Sequence, residues 1–300
     1  MKVFFSPDYV AAAESFDTTR KSGWIADSLG KSPVSGVELV APTPLTFEDF
    51  AAVHDPKYVR AVRTGAPKEL AESQGFKWDE GMWRAVCASN GGAVAAARAA
   101  MSDGVSGSLS SGMHHAMHGR GASFCTFNGL AIAAKTALRE GAKSVLIIVL
   151  DAHCNGGTHS LNADEGDRME GDDRIQQIDV SVNSVDAYWM SGANTLDIIR
   201  DADDYLPTIE RRLGALNGSI DLCLYNSGMD PDERCFVGGF PLINAAMLKK
   251  REEMVFGWAK TRKVPIAFVL AGGYSGPSLP QDELVKLHRF TIESAQLTRR

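Results

Sequence analysis

Five cysteines in 300 residues, none in a Cys-x-x-Cys pair, are too few and too oddly numbered for a disulfide frame. Cys87, Cys125, Cys154, Cys223 and Cys235 read instead as reduced thiols of a cytoplasmic enzyme. Positive charge is short as well: 31 Lys and Arg stand against 37 Asp and Glu, a net charge of −6. That balance argues against a nucleic-acid partner, which needs a basic face, and leaves room for cationic small substrates. No apolar run approaches the roughly 20 residues of a membrane helix. Met1-Lys-Val-Phe-Phe5 does not lead into an apolar stretch with a cleavage site, so neither a membrane span nor a secretory signal is expected. Internal repeats, low-complexity tracts and linkers are also missing. With 44% hydrophobic and 23% charged residues the chain has the make-up of a soluble globular protein. One α/β domain over residues 1–300 is the simplest organisation.

What the chain does have is Ser144-Val-Leu-Ile-Ile-Val-Leu150, followed at once by Asp151-Ala-His153-Cys-Asn-Gly-Gly-Thr158. An almost wholly β-branched or leucine run that ends in a polar, glycine-rich turn reads as a central strand of a parallel sheet. Ligands of open α/β sheets bind at such strand ends. In extended backbone, residues i and i+2 face the same way, so Asp151 and His153 can reach one divalent metal together. A buried aspartate at a strand end can equally cap a turn.

Further strands are expected over 2–5, 106–112, 175–182, 220–225 and 264–270. Helices are expected over 81–101, 128–139, 194–216, 242–260 and 281–297, with shorter turns after Thr46, where Asp49 completes a capping box, and over 57–63. Strands alternating with helices imply βαβ units and a parallel sheet covered on both faces. His54 and Tyr58 read as packed, hydrogen-bonded residues. Stretch 66–80 reads as a surface loop, and the acidic stretch 162–173 as a solvated one.

Three other strand ends carry polar residues: Ser111-Gly-Met-His114-His115, Ser227-Gly-Met-Asp230, and Gly272-Gly273-Tyr274. Asp151, His153 and Asp230 would give one metal three ligands and leave room for water and substrate. Zinc suits this oxygen–nitrogen–oxygen set, as do iron and cobalt. A metal there acidifies water and polarises a carbonyl. One histidine of the pair can take the water's proton and return it to a leaving amine. The Tyr274 hydroxyl can bond a tetrahedral oxyanion, with Gly272-Gly273 letting the backbone approach closely.

The runs Gly112-Met-His-His-Ala116, Phe124-Cys-Thr-Phe-Asn128, Asp151-Ala-His153, Ser227-Gly-Met-Asp230 and Gly272-Gly-Tyr274, with Val53-His-Asp-Pro-Lys-Tyr-Val59, resemble the histone deacetylase and acetylpolyamine amidohydrolase family. The resemblance implies a three-layer, arginase-deacetylase-like α/β fold with a mostly parallel eight-stranded sheet. It implies zinc, one per chain, on Asp151, His153 and Asp230. It further implies a catalytic pair His114 and His115 with His115 as general base, Tyr274 for the oxyanion, and Phe124 and Gly273 lining the substrate channel. The implied substrate is a small acylated amine, and self-association through 66–80 or 162–173 would narrow its entrance.

The chain departs from the family pattern at four places. Val149 and Gly156 stand where acids usually support the two histidines, Cys154 replaces a histidine, and Ser110-Ser111 replace two prolines. Losing such supporting acids bears on basicity and rate. The valine also weakens the expectation of the family's structural potassium beside Asp151 and Ser181. Two other readings follow: a metal- and ligand-binding protein without turnover, and a two-metal ureohydrolase, for which Asp232 would be the extra ligand and Asn155 stands in an aspartate's place.

Overall fold

The computed structural model describes residues 1–12, 16–162, 172–190 and 192–298. In chain order the elements are β1 (Lys2–Phe4), α1 (Asp17–Lys31), β2 (Glu38–Val40), α2 (Phe47–Ala51), α3 (Pro56–Thr64), α4 (Lys68–Ala71), α5 (Glu80–Asp103), β3 (Val105–Ser108), α6 (Gly129–Arg139), β4 (Val145–Leu150), α7 (Gly156–Asn162), β5 (Ile175–Ser181), β6 (Thr195–Ile198), α8 (Tyr205–Gly214), β7 (Leu222–Ser227), α9 (Ala245–Arg262), β8 (Ile266–Leu270) and α10 (Gln281–Thr298). The eight strands form one sheet in the order β2-β1-β3-β8-β7-β4-β5-β6. Every pairing is parallel.

β4 is central and all six of its residues are buried. Its side chains alternate between the two faces, as strand geometry requires. Leu146, Ile148 and Leu150 join Ile25 of α1, Ile209 of α8, Val255 of α9 and Ile292 of α10 in one core. Val145, Ile147 and Val149 join Val59 of α3, Val94 of α5 and Ile132 of α6 in the other. Two apolar layers against one sheet make the three-layer architecture that the alternation of elements implied. Among the described residues, no helix is long and apolar enough to cross a membrane.

The expected elements are present with ends shifted by a few residues, and the structure corrects two of them. The helix expected over 194–216 begins instead as edge strand β6, registered against β5 with Ile178 opposite Thr195. Only 205–214 is helical, and Asp197 on the strand pairs with Arg211 and Arg212 of that helix. The stretch 66–80 contains the one-turn helix α4. Helix α1 and strand β2 have no counterpart in the sequence reading. The capping box at Thr46 is formed, and Asn128 caps α6 through Ala131 N–H. Most of the acidic stretch 162–173 lies outside the described residues.

Candidate metal centre and histidine pair

The C-terminal ends of β3, β8, β7 and β4 lie side by side in the sheet, and the site is built on the loops that leave them. Asp151 follows β4 directly. Gly228 N–H donates to Leu150 O at 2.9 Å, Ala271 N–H to Ser227 O at 2.8 Å, and Met229 N–H to Gly272 O at 2.7 Å, so the loops after β4, β7 and β8 are laced together by backbone bonds. Their carboxylates are laced in too. Ala152 N–H donates to Asp230 Oδ1, and Gly272 N–H to Asp151 Oδ2, each at 3.0 Å. A side chain at 272 could not fit, because a Cβ there would lie 2.1 Å from Asp230 Oδ2. Gly273 has φ +143°, and its Cβ position is filled by His288 and Leu284 of α10.

Asp151, His153 and Asp230 each offer a ligand atom within 4.8 Å of the others. His153 Nδ1 lies 3.2 Å from Asp151 Oδ1 and 3.2 Å from Asp230 Oδ2. Both carboxylates are buried, and Asp230 Oδ2 has no aligned hydrogen-bond donor among the described residues. Burial pushes the His153 imidazole down, but the two carboxylates beside it outweigh burial and carry it up to about 10. Burial and the like charge of Asp151 push Asp230 up to about 6. Burial pushes Asp151 up as well, but the His114 and His153 rings outweigh it and hold Asp151 below the usual carboxylate range. Two buried carboxylates and an imidazole, with one oxygen unpaired, fit a single divalent cation of the zinc, iron or cobalt type. Among the described residues this is the one such group. Asp232, the extra ligand of the two-metal reading, is instead clamped by Arg234, Nε to Oδ1 at 2.8 Å.

His114 and His115 sit on the loop after β3 with their rings 3.9 Å apart. His114 Nε2 is 3.7 Å from Asp151 Oδ1, and the His115 ring stands edge-on to His153 at 5.9 Å. Burial first, then the neighbouring His115, pushes His114 down to about 3, so its imidazole is neutral. The loop is held from the core. Asn128 Nδ2 donates to His114 O and Ala116 O, both at 3.1 Å. Asn128 N–H in turn donates to His54 Nε2 at 3.1 Å, while His54 Nδ1 bonds Met117 O at 2.9 Å. Tyr58 hydroxyl donates to Thr126 O. His54 and Tyr58 are therefore packed, bonded residues, as expected.

Of the two supporting acids that the resemblance places at 149 and 156, the second has a counterpart from elsewhere. Asp186, on the loop after β5, brings Oδ2 to 2.8 Å from His115 Nδ1. Asp179 on β5 is the register partner of Val149. Its Oδ2 accepts from Asn155 N–H and its Oδ1 from the Ser181 hydroxyl, and burial pushes it up to about 8. Asp179 does not bond the pair. Asn155 acts on the His114 ring, but no bond of ordinary length reaches His114 Nδ1 among the described residues.

Tyr274 is 7% exposed. Its phenol is pushed well above its ordinary range, first by burial and then by Asp230 and Asp151, so it lies in the field of these two carboxylates. Its ring lies 5.2 Å from Phe16 and 6.2 Å from Phe236. Phe124 stacks on Phe16 at 4.7 Å and tilts against Phe76 at 5.4 Å. Phe16, Phe76 and Phe236 were not singled out from the sequence. Among the described residues, six that are not glycine have positive φ, and Met113, Ser123, Phe124 and Asp186 are four of them. Such backbone is costly and concentrates at functional sites.

A family model described as the histone deacetylase domain matches residues 16–194. An uncharacterised protein of Picosynechococcus is 28% identical over 235 residues, 74% of each chain. Histone deacetylase 2 of Arabidopsis thaliana is 26% identical over 261 residues, 79% of this chain and 63% of that protein. The acetoin utilization protein AcuC of Staphylococcus aureus is 32% identical over 141 residues, 43% of this chain and 36% of that one. The chain thus matches less than two thirds of either named relative. Among solved structures, the HDA15 HD domain superposes with a TM-score of 0.76 at 18% identity, covering all of this chain and 90% of that one. An acetylpolyamine aminohydrolase from Burkholderia pseudomallei superposes with a TM-score of 0.72 at 17% identity, each chain covered in full. At such identities these two show the shared fold.

Proposed function

The chain belongs to the histone deacetylase domain family, and from that premise we propose that it is a metal-dependent amidohydrolase that removes an acyl group, acetyl in the simplest case, from a small amine. The observation that carries the reading is convergence. Two adjacent histidines from one loop meet an Asp-His-Asp trio from two others, with His114 Nε2 3.7 Å from Asp151. Asp151, His153 and Asp230 would hold one zinc ion, which when bound acidifies a water and polarises the amide carbonyl.

The chain's own residues divide the remaining work. His115, with Nδ1 tied to Asp186, keeps Nε2 free to take the water's proton and later give it to the departing amine. Neutral His114, packed between His115 and Asp151, orients the water. Tyr274 keeps its proton at neutral pH and donates a hydrogen bond to the oxygen that gains charge. Phe124, Phe16 and Phe76 wall the approach to the trio, and Gly273 would line the substrate channel beside Tyr274. The net charge of −6 favours a cationic amine over an acidic or nucleic-acid substrate. The likeness to an acetylpolyamine aminohydrolase and to AcuC supports a small-molecule substrate.

The test is hydrolysis of a panel of acetylated polyamines, acetyl-lysine peptides and aromatic acetamides by zinc-loaded protein, with Tyr274→Phe as control. Turnover that falls at least about 10²-fold in the variant, the usual cost of one oxyanion donor, supports the reading. A second reading, binding without turnover, is favoured by Val149 in place of an acid. It predicts bound zinc and bound acylamine with no hydrolysis of any member.

A further inference from the structure

Gly156 leaves a hole beside the histidine pair, and the structure shows what fills it. A Cβ at 156 would lie 2.4 Å from Asp186 O and 2.4 Å from Asp186 Oδ1. A side chain at 156 and the observed Asp186 therefore exclude each other. Asp186 is pinned in place from three directions. Its carbonyl accepts from Gly156 N–H at 3.0 Å. Its Oδ2 accepts from Gly157 N–H at 2.9 Å and faces His115 Nδ1 at 2.8 Å. On its other side, Cys154 N–H donates to Val185 O at 2.9 Å. Its backbone sits at φ +62°, a left-handed conformation that an aspartate adopts at some cost. A strained, pinned carboxylate aimed at one ring nitrogen is an arrangement for orienting that ring.

We propose that Asp186, supplied from the loop after β5, is the positioning residue of the His115 base and takes over the task of the side chain that Gly156 lacks. The inference rests on the reading of His115 as the general base. By accepting from Nδ1–H, Asp186 fixes the tautomer that leaves the Nε2 lone pair facing the trio, and it stabilises the imidazolium that forms when the proton arrives. The exclusion does not depend on the Asp186 side chain alone, since the backbone carbonyl of 186 also lies 2.4 Å from that Cβ position; glycine at 156 is what lets this loop bring Asp186 to His115.

The experiment uses the zinc-loaded chain and two variants, Asp186→Ala and Asp186→Asn. Metal content and melting temperature are measured beside kcat and KM. Asp186→Ala and Asp186→Asn are expected to lower kcat about 10–100-fold, the usual cost of a residue that orients a histidine, with KM and bound zinc unchanged. Nitrogen-15 spectra of histidine-labelled protein read the His115 tautomer without any substrate. They are expected to show Nδ1–H in the wild type and a mixture in Asp186→Ala. A wild-type kcat in both Asp186 variants overturns the proposal. So does a loss that merely tracks missing zinc. If the wild type hydrolyses nothing while the tautomer changes as expected, the catalytic reading fails and the positioning role of Asp186 stands.

Discussion

Acidification should unlock the loop that carries the histidine pair, and His54 is the residue through which it acts. His54 is fully buried. Its Nδ1 bonds Met117 O, so Nδ1 carries the hydrogen, and its Nε2 accepts from Asn128 N–H. A second proton on Nε2 would face that N–H and break the bond. Burial accordingly pushes His54 down from 6.5 to about 4. The unfolded chain takes up a proton near pH 6.5 and the folded chain only near pH 4. Between these values the unfolded state binds more protons, and stability falls as the pH is lowered. The gap, at 1.36 kcal/mol per pH unit, amounts to about 3 kcal/mol. The stabilisation is fully present above the unfolded value and is lost through this window. His54→Gln keeps a donor and an acceptor but does not titrate. Urea unfolding of both proteins, followed by circular dichroism from about pH 7 to about pH 4, isolates the residue from the other buried histidines. The stability advantage of wild type over His54→Gln is expected to shrink by about 3 kcal/mol across the window. Parallel curves for the two proteins would refute the reasoning.

Asn128→Ala removes the α6 cap and the bonds to two buried carbonyls. It is expected to cost about 2–4 kcal/mol in chemical denaturation, from the usual cost of a cap plus that of an unsatisfied acceptor. Arg251 and Glu252 on α9 form a fully buried ion pair, and Arg251 Nη1 donates to Leu150 O just before Asp151. Arg251→Met should cost about 3–5 kcal/mol because it strands the Glu252 charge, and replacing both residues should cost less than replacing Arg251 alone. Zinc at about 100-fold above its dissociation constant should raise stability by about 2.7 kcal/mol. A chelator should reverse that rise in a thermal melt, and Asp230→Asn should abolish it.

The parts of the fold legible in the sequence are those where one local signal decides. β4 is apolar on both faces because both faces are covered, and such a run reads as a buried strand. The capping box at Thr46 and the cap at Asn128 are written in residues that touch their own helix. β6 was misread because all four of its residues are only half-buried. Edge position erases the alternation, and Leu196, Ile199, Leu206 and Ile209 fall at helical spacing. Pairing with β5, a tertiary effect, overrides that pattern. That the Asp-His-Asp trio and the histidine pair converge at one sheet edge was legible because each motif is short and lies on a loop that leaves a strand. Asp186 was not legible: nothing in Val185-Asp-Ala187 marks it. The one available sign was negative, the missing side chain at Gly156, and only the folded chain shows which carboxylate enters that space. The aromatic walls Phe16, Phe76 and Phe236 come from three separate segments and share no spacing that periodicity could detect.

The most direct test of the central claim is the rate of acetamide hydrolysis as zinc is titrated into metal-free chain. The account predicts a rise to a plateau at one zinc per chain, and no rise in Asp230→Asn. Full activity without metal, or a tightly bound single zinc with no hydrolysis of any acylated amine, would contradict it.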